Sequence, residues 1–199
     1  MHSSDTQQDF ELCLKEFLEI AHRAAILGLQ AGTGGNISVR CGSTYLMKGT
    51  GKSLYGLTEA DVVLVDGDGK VIRGSGPATK EAGLHLNLYR VRPEVRGIVH
   101  YHAPFAAAYA AKGIPIPTLS GHARRAFPRM PIVPELRDGS RELAEAVEKA
   151  FQDQEVRLIL LESHGLVAIG DSLLAAQTLA ELAEETAKTA IAARILERP

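Results

Sequence analysis

The chain has little cysteine, little net charge and no long apolar run, and each shortage excludes a class of protein. With only Cys13 and Cys41 in 199 residues and no recognisable secretory signal, we expect no disulfide framework and a reducing cytoplasm as the setting. The 22 basic and 24 acidic side chains leave a net charge of −2, which predicts no general attraction to nucleic acid or to an anionic membrane. No apolar stretch is long enough to span a bilayer. Any binding of an anion such as phosphate must therefore be local.

The chain also lacks internal repeats, linkers and low-complexity tracts, so we expect one domain over residues 1–199. Apolar stripes at helical spacing predict helices from Phe10 to about Gly28 or Ala31, over Thr79–Arg90, after Pro104, over Arg141–Phe151 and over Ser172–Leu196. Short apolar runs predict strands at Ile37–Arg40, Thr44–Met47, Val62–Val65, Lys70–Ile72, Ile98–His102, Leu158–Leu161 and Leu166–Ile169.

Two segments carry no such pattern. Met1–Gln8 is polar and is expected to be frayed, and Gly113–Pro134, with five prolines and three arginines, is expected to be irregular. Helices and strands alternate only in part, and several strands are joined as hairpins. The predicted fold is therefore α/β, a three-layer αβα arrangement with a central mixed, largely antiparallel sheet covered by helices.

The strand that ends in Val99-His100-Tyr101-His102 offers two imidazoles. Side chains two residues apart share a face of a strand, so His100 and His102 can converge on one divalent cation. A third ligand must then come from elsewhere, and His164 in Glu162-Ser163-His164-Gly165 is the candidate. The alternative is that each histidine is an ordinary hydrogen-bonded core or surface residue, because His-x-His alone is a weak signal.

Two glycine-bearing loops, Gly32–Asn36 and Lys48–Ser53, have the composition of an anion cradle. Backbone N–H groups in tight turns point together, and a Ser, Thr or Asn side chain adds a donor. The candidate donors are Gly35, Asn36, Thr50, Gly51 and Ser53. Neither loop has the spacing of a nucleotide-binding fingerprint, and each by itself is also typical of a plain turn.

Glu81 lies in the first turn of the predicted helix that leads into the His-x-His strand. A carboxylate there is stabilised by the helix N-terminus, and taken alone it is only a first-turn acid. The order of the parts along the chain makes it a candidate. Both glycine loops come first, then Pro-x-x-x-Glu with His85 four residues later, then His-x-His, and finally Ser-His-Gly on a late strand.

In this order the motifs resemble the class II aldolase/adducin family, the group that includes fuculose-phosphate aldolase and ribulose-phosphate 4-epimerase. The resemblance covers nearly all of the chain and rests on Gly32–Arg40, Thr50-Gly51, Glu81 with Leu84-His85, Val99–His102 and Glu162–Gly165. It implies a helix-covered mixed sheet, a four-fold symmetric homotetramer and sites at subunit boundaries. It also implies one divalent metal ion per subunit, zinc first, with manganese, cobalt or iron as alternatives.

The resemblance assigns a role to each candidate residue. His100, His102 and His164 would bind the metal, and Glu81 would be the catalytic acid/base. His85 would either pack against the sheet or support the site. A small sugar phosphate would be the partner, and its phosphate would be held by Gly35, Asn36, Thr50, Gly51 and Thr79.

The implied reaction is retro-aldol cleavage of a ketose phosphate to dihydroxyacetone phosphate and an aldehyde, through a metal-stabilised enediolate. The same site would serve a pentulose-phosphate 4-epimerase, a methylthioribulose-phosphate dehydratase or a phospho-oxo-acid decarboxylase. A non-enzymatic alternative is an adducin-like assembly module. The presence of all three histidines and Glu81 argues against that module, since a scaffold has no use for an open metal site.

The chain departs from the family's pattern in three places. Thr79-Lys80 stands where the aldolases have two serines, and Lys80 either strengthens anion binding or points to solvent. The segment Thr118–Arg125 has no tyrosine where the aldolases have a proton donor, which leaves His122 as a candidate substitute. Pro199 follows soon after the last predicted helix, so we expect little tail to close over a neighbouring site. These departures leave the aldehyde half of the substrate and the stereochemistry open.

Overall fold

The computed structural model describes residues 2–196, and in this range it contains six α-helices and eight strands. The helices are α1 (His2–Ile26), α2 (Ala82–Val91), α3 (Pro104–Ala110), α4 (Gly121–Ala126), α5 (Arg141–Phe151) and α6 (Leu173–Leu196). The strands are β1 (Asn36–Cys41), β2 (Thr44–Lys48), β3 (Val62–Val65), β4 (Val71–Arg73), β5 (Gly97–Tyr101), β6 (Ile132–Val133), β7 (Leu158–Leu161) and β8 (Gly165–Gly170).

The described strands form one sheet in the order β4-β3-β2-β1-β5-β8-β7-β6. Neighbouring strands are antiparallel except for β6 and β7, which pair in parallel. The late strand β8 thus pairs with β5, and β7 lies on the far side of β8, so neither extends the β4 edge of the sheet. The prediction of a mixed, largely antiparallel sheet is confirmed.

Helices cover both faces of the sheet. Val99 and Tyr101 of β5 pack in one cluster with residues of α1, α3, α4 and α6. Ile98 of the same strand packs in a second cluster with Leu88 of α2 and Val147 of α5. Because neighbouring residues of a strand point to opposite faces, β5 buries side chains on both sides, and every one of its residues is buried. The three-layer prediction is also confirmed.

Predictions about three segments of the chain are wrong. Gly113–Pro134 is not irregular throughout, because it contains α4, whose start is capped by the Ser120 hydroxyl, and β6, which pairs with β7. Helix α1 begins at His2, so the described part of Met1–Gln8 is helical; polar residues readily extend a helix that is already nucleated. Helix α2 begins at Ala82, three residues later than predicted. No helix in the described part of the chain is long and apolar enough to cross a membrane.

The sheet order brings three candidate segments to one place. Asn36 at the start of β1 lies directly opposite His100 near the end of β5. Strand β8 pairs along the other side of β5, with Leu166 opposite Tyr101, so the turn between β7 and β8 lies beside the end of β5. The site is therefore formed by residues that are distant in sequence and adjacent in the sheet.

Candidate metal centre

Three imidazoles converge at the end of β5. His100 is fully buried in β5, His102 lies just after the strand, and His164 lies in the turn between β7 and β8. The Nε2 atom of His100 is 3.2 Å from Nε2 of His102 and 3.2 Å from Nε2 of His164. The sequence predicts that the two histidines of the His-x-His motif share one face of a strand. This prediction is wrong, because β5 ends at Tyr101 and His102 lies beyond it. The backbone turn after Tyr101 brings His102 to the same point.

The spacing of these nitrogens fits a divalent metal. Metal–nitrogen bonds of about 2.0–2.1 Å in a tetrahedral site place two ligand nitrogens about 3.4 Å apart. His100 Nδ1 donates a hydrogen bond to the Leu166 carbonyl at 2.9 Å, which leaves the lone pair of Nε2 facing the other two rings. Burial lowers the pKa of His100, and burial and the neighbouring histidines lower the pKa of His102 to about 4. Neutral imidazoles are the form that binds a metal.

A strained turn aims His164 at the centre. Ser163 has φ of +58°, and it is the one non-glycine residue with positive φ in the described chain. On the other side of His164 is Gly165. A Cβ atom at this position would lie 2.3 Å from the Tyr101 carbonyl oxygen, so only glycine lets the turn approach β5 this closely. His164 Nδ1 is buried without a hydrogen bond from any described residue, and the Asp138 carboxylate lies 3.6 Å away.

Gln30 supports His102 from behind. Its side-chain oxygen accepts a hydrogen bond from the His102 backbone N–H at 2.9 Å. Gly34 and Gly35 pack directly against this amide, since a Cβ atom at either position would lie within 3 Å of Gln30. The sequence analysis missed Gln30, because a glutamine shortly after a helix carries no signal of its own.

Glu81 lies beside the histidines. Its Oε2 atom is 3.4 Å from His100 Nε2 and accepts a 2.6 Å hydrogen bond from the Asn36 amide. Its other oxygen, Oε1, is buried and has no hydrogen-bond partner in the described range. Burial acts to raise the Glu81 pKa, but the neighbouring His100 ring and the Asn36 hydrogen bond outweigh it and hold the pKa below its ordinary value. A carboxylate oxygen is thus left free at the metal centre.

A chain of buried hydrogen bonds holds Glu81 in place. The Asn36 side chain donates to Glu81, so its oxygen accepts from His85 Nε2. His85 Nδ1 then accepts from the Ser38 hydroxyl at 2.6 Å, and Ser38 accepts from the Tyr89 hydroxyl at 2.8 Å. Neutral His85 and the Ser38 and Tyr89 hydroxyls each have one polar hydrogen, and the Asn36 amide nitrogen faces Glu81, so every donor in the relay points toward Glu81.

His85 is part of this relay and is not among the three converging histidines. It is completely buried, and burial lowers its pKa to about 3, so it is neutral at physiological pH. Both of its ring nitrogens are occupied by Asn36 and Ser38. Of the two alternatives for His85 in the sequence, the geometry therefore favours support of the site over simple packing.

The two glycine loops lie at one cavity of about 240 Å³ next to the histidines. Its lining includes all five residues predicted to bind phosphate, namely Gly35, Asn36, Thr50, Gly51 and Thr79, together with Glu81, His102 and His164. The N–H groups of Gly35 and Gly51 make no backbone hydrogen bond within residues 2–196, so they are available to a ligand. The Thr50 N–H and hydroxyl instead donate to the Pro77 and Ala78 carbonyls.

Of the other residues that the sequence analysis names, two lie outside the cavity and one lines it. Ser53 does not line this cavity, and its hydroxyl accepts from the Tyr55 N–H. His122 is exposed on α4 and is not part of the cavity lining. Lys80 does line the cavity. So does Lys48, which the sequence analysis passed over because a lysine at a strand end is usually a solvated charge.

Comparison with known proteins gives four findings. A family model described as Class II Aldolase and Adducin N-terminal domain matches residues 15–191. An L-fuculose phosphate aldolase of Methanococcus vannielii is 32% identical over 175 residues, which cover 88% of this chain and 93% of that protein. A 5-deoxy-D-ribulose 1-phosphate aldolase of Bacillus thuringiensis serovar kurstaki is 35% identical over 156 residues, 77% of this chain and 72% of that protein. Among solved structures, l-fuculose-1-phosphate aldolase from Thermus thermophilus matches with a TM-score of 0.84 and 26% identity, covering 94% of this chain and 97% of that one.

Proposed function

Because the chain belongs to the class II aldolase and adducin N-terminal domain family, as an enzyme of its sugar-phosphate aldolase group, we propose that it is a metal-dependent aldehyde-lyase. Its substrate is a small ketose phosphate, which it cleaves by a retro-aldol reaction to dihydroxyacetone phosphate and an aldehyde. The observation that carries the proposal is the meeting of three histidine Nε2 atoms with a free Glu81 oxygen at the edge of an anion-type cavity.

The donor set supports one divalent ion per subunit held by His100, His102 and His164. Three neutral imidazoles with an open fourth position favour zinc, and manganese, cobalt and iron are the alternatives. Such an ion supplies a Lewis acid for the carbonyl and adjacent hydroxyl oxygens of the ketose. The buried, unpartnered oxygen of Glu81 and the buried Nδ1 of His164 are both consistent with a site completed by a ligand.

Glu81 is the proposed acid/base. When the carbon–carbon bond breaks, the hydroxyl that becomes the aldehyde oxygen gives its proton to solvent. The enediolate carbon left behind gains a proton, which Glu81 carries to it from solvent through its free oxygen. Asn36 keeps the carboxylate in this orientation by donating to its other oxygen. Proton transfer by a positioned side chain contributes about 10²–10⁴-fold to a rate.

The glycine loops are the proposed phosphate site. Gly35 and Gly51 offer N–H groups without a backbone partner, Asn36 and Thr79 each form a hydrogen bond with Glu81, and all line the same cavity. Thr50 contributes by fixing its loop to the Pro77-Ala78 segment, which holds the Gly51 amide in position. We also propose the remaining features that the family resemblance implies: a single domain over residues 1–199, a homotetramer and a cytoplasmic location.

Metal analysis combined with a substrate panel tests the function. We expect the purified protein to contain one divalent ion per chain and to release dihydroxyacetone phosphate from at least one ketose phosphate in a coupled assay. Isomerised pentulose phosphate, loss of water or loss of carbon dioxide would instead identify the epimerase, dehydratase or decarboxylase. If the purified protein had no stoichiometric metal and no metal-dependent activity, the proposed lyase function would be contradicted. The adducin-like assembly module would then be the remaining alternative.

Glu81→Gln tests the acid/base role. Glutamine keeps an oxygen that can accept from Asn36 but cannot exchange a proton, so we expect the metal content to stay at the wild-type level and turnover to fall by about 10²-fold or more. Glu142→Gln, an exposed carboxylate on α5, is the matched control and should leave both unchanged. Wild-type turnover in Glu81→Gln would rule out the proton-transfer role.

A further inference from the structure

The outer ring nitrogen of His164 is buried and has no hydrogen-bond partner among the described residues. Nε2 of this ring faces His100, so Nδ1 lies on the side away from the metal centre. His100 differs, because its own Nδ1 donates to the Leu166 carbonyl. A neutral imidazole that binds a metal through one nitrogen carries its hydrogen on the other. The Nδ1–H of a metal-bound His164 therefore needs an acceptor from a neighbouring group.

The Asp138 carboxylate is placed to accept this hydrogen. Its Oδ1 atom lies 3.6 Å from His164 Nδ1, which is longer than the limit of about 3.2 Å for a good N–H···O hydrogen bond. The Asp138 side chain is 73% exposed, so it can rotate closer without displacing packed atoms. Burial lowers the pKa of His100 and of His102, and the Asp138 charge acts against that shift, so its field reaches the whole centre.

A tight turn fixes the backbone of Asp138. The Ser140 N–H donates to the Arg137 carbonyl at 3.0 Å, which closes the turn around Asp138 and Gly139. Gly139 has φ of +68°, and a Cβ atom there would lie 3.0 Å from the Lys80 carbonyl oxygen. The turn thus packs closely against the segment before α2, and the Ser140 hydroxyl caps α5 directly after it.

The turn that carries His164 is tied to the same loop. Glu162, two residues before His164, donates its backbone N–H to the Val133 carbonyl at 2.9 Å. The Glu162 carboxylate accepts from the Glu135 N–H at 3.2 Å. The β7–β8 turn and the loop from β6 to α5 are therefore joined by backbone and side chain. Asp138 and His164 lie on two segments that are held together by contacts made entirely within the protein.

We propose that Asp138 is the positioning residue of His164: its carboxylate accepts the Nδ1–H of the ring, which holds Nε2 toward the other two histidines and makes it a stronger ligand. In this role Asp138 contacts neither the metal nor the substrate and acts only through His164. The inference rests on the three-histidine metal site of the proposed function, and it is independent of which reaction that site performs.

Zinc affinity, measured by competition with a chromophoric chelator, tests the role without turnover. We expect Asp138→Ala to weaken zinc binding by about 10-fold to 100-fold, the usual cost when a metal-binding histidine loses such a partner. Asp138→Asn keeps an oxygen that accepts a hydrogen bond but has no charge, so it should recover part of the affinity. Asp68→Ala removes an exposed carboxylate from the β3–β4 turn and is the matched control, which should bind zinc as the wild type does.

Two further measurements separate positioning from structural damage. Metal-free Asp138→Ala should unfold at the same urea concentration as the wild type, because the side chain is exposed. In proton NMR of the zinc-loaded wild type, the His164 Nδ1–H resonance should lie downfield, as expected for a hydrogen bond to a carboxylate, and it should move upfield in Asp138→Ala. His164→Gln assigns this resonance by its loss.

Wild-type zinc affinity in Asp138→Ala would overturn the proposal. So would an Nδ1–H resonance that is the same in Asp138→Ala as in the wild type. Should Asp138→Ala fail to fold, Asp138→Asn and the wild-type resonance still decide, since wild-type affinity in the first or no downfield Nδ1–H in the second would also overturn it. A wild-type protein that binds zinc but cleaves no ketose phosphate would contradict the proposed reaction alone, because the zinc comparison would still decide the role of Asp138.

Discussion

At the scale of single residues, the relay from Tyr89 to Glu81 fixes the position of the carboxylate. Of its members only Asn36 contacts Glu81 directly, and the others act through Asn36. Ser38 and Asn36 come from β1, and His85 and Tyr89 come from α2. All of these side chains are buried, so a broken link leaves a polar group with no water to replace its partner. The relay therefore couples the position of Glu81 to the packing of α2 on the sheet.

Ser38→Ala tests the relay. It removes the donor to His85 Nδ1 and the acceptor for Tyr89, and leaving buried polar groups unsatisfied costs about 1–3 kcal/mol. We expect the free energy of unfolding in urea to fall by that amount and kcat to fall with it, while the metal content stays unchanged. Ser43→Ala, in the exposed β1–β2 turn, is the control and should stay within about 0.5 kcal/mol. Unchanged stability in Ser38→Ala would show that the relay does not hold α2 to β1.

The sequence predicted the candidate site in part at this scale. His100, His102, His164 and Glu81 were identifiable because their order along the chain carries a signal, and the structure brings them together. Their chemical roles stay predictions. Lys48 and Gln30 were missed, since their importance depends on which backbone groups they meet after folding. No local pattern marks a lysine whose partners are three carbonyls on two other segments.

At the scale of elements, close approach of backbones shapes the site more than any helix does. The turn between β7 and β8 can reach β5 only because Gly165 has no side chain, and the His102 ring lies 3.2 Å from the position a Cβ atom would take. On the opposite face, the Glu184 carboxylate of α6 accepts hydrogen bonds from the first N–H groups of α3, which fixes the chain just after His102. The backbone on either side of the site is thus fixed both at the β7–β8 turn and at the start of α3.

Gly165→Ala tests this close approach. A methyl group 2.3 Å from the Tyr101 carbonyl must push β8 away from β5, so we expect a loss of about 1–3 kcal/mol or more in the free energy of unfolding. The metal content should fall as well, because the His102 and His164 rings separate. Gly83→Ala is the contrasting variant: the site is open and helical, so it should stabilise the protein by about 0.5–1 kcal/mol. Full metal content in Gly165→Ala would show that the turn can shift without cost to the site.

Elements with a strong apolar period were predicted well, and those that depend on distant pairing were not. Arg141–Phe151 and Leu158–Leu161 have the predicted bounds, because periodicity and length agree there. Helix α4 and strand β6 were missed within Gly113–Pro134. Six helical residues are too few to show a period, and a two-residue strand exists only because β7 offers it a parallel partner.

At the scale of the whole molecule, the candidate metal centre joins parts of the chain that are far apart in sequence and that the sheet brings together. His100 and His102 belong to the central strand and its end, and His164 belongs to the last hairpin. An ion bound by all three connects the middle and the late part of the fold. A ligand that binds the folded state alone stabilises it in proportion to its occupancy.

Removal of the metal tests this connection. At free metal about 100 times the dissociation constant, binding adds about 2.7 kcal/mol of stability. For a chain of this length that corresponds to roughly 5–10 °C in Tm. We expect chelation to lower the Tm by that much and zinc to restore it in calorimetry. His164→Gln should melt at the same temperature with and without zinc, and a wild-type Tm indifferent to chelation would contradict the three-histidine site.

The architecture was predictable at this scale because helices and strands that alternate only in part, with several strands joined as hairpins, allow few arrangements of the sheet and its helices. The observed sheet and layers match the predicted architecture. The strand order was not predicted, since nothing local specifies that β8 lies beside β5. The single domain, the homotetramer and the cytoplasmic location stay predictions.

The place of β8 in the sheet has a consequence for biosynthesis. Strand β5 is synthesised well before β7 and β8, so its neighbour on one side and the third histidine arrive only with the last hairpin. A nascent chain that stops before β7 therefore carries two of the three imidazoles and an unpaired central strand edge, which is the kind of surface that aggregates. A metal held by all three histidines would consequently be acquired late in synthesis, after β8 has been made.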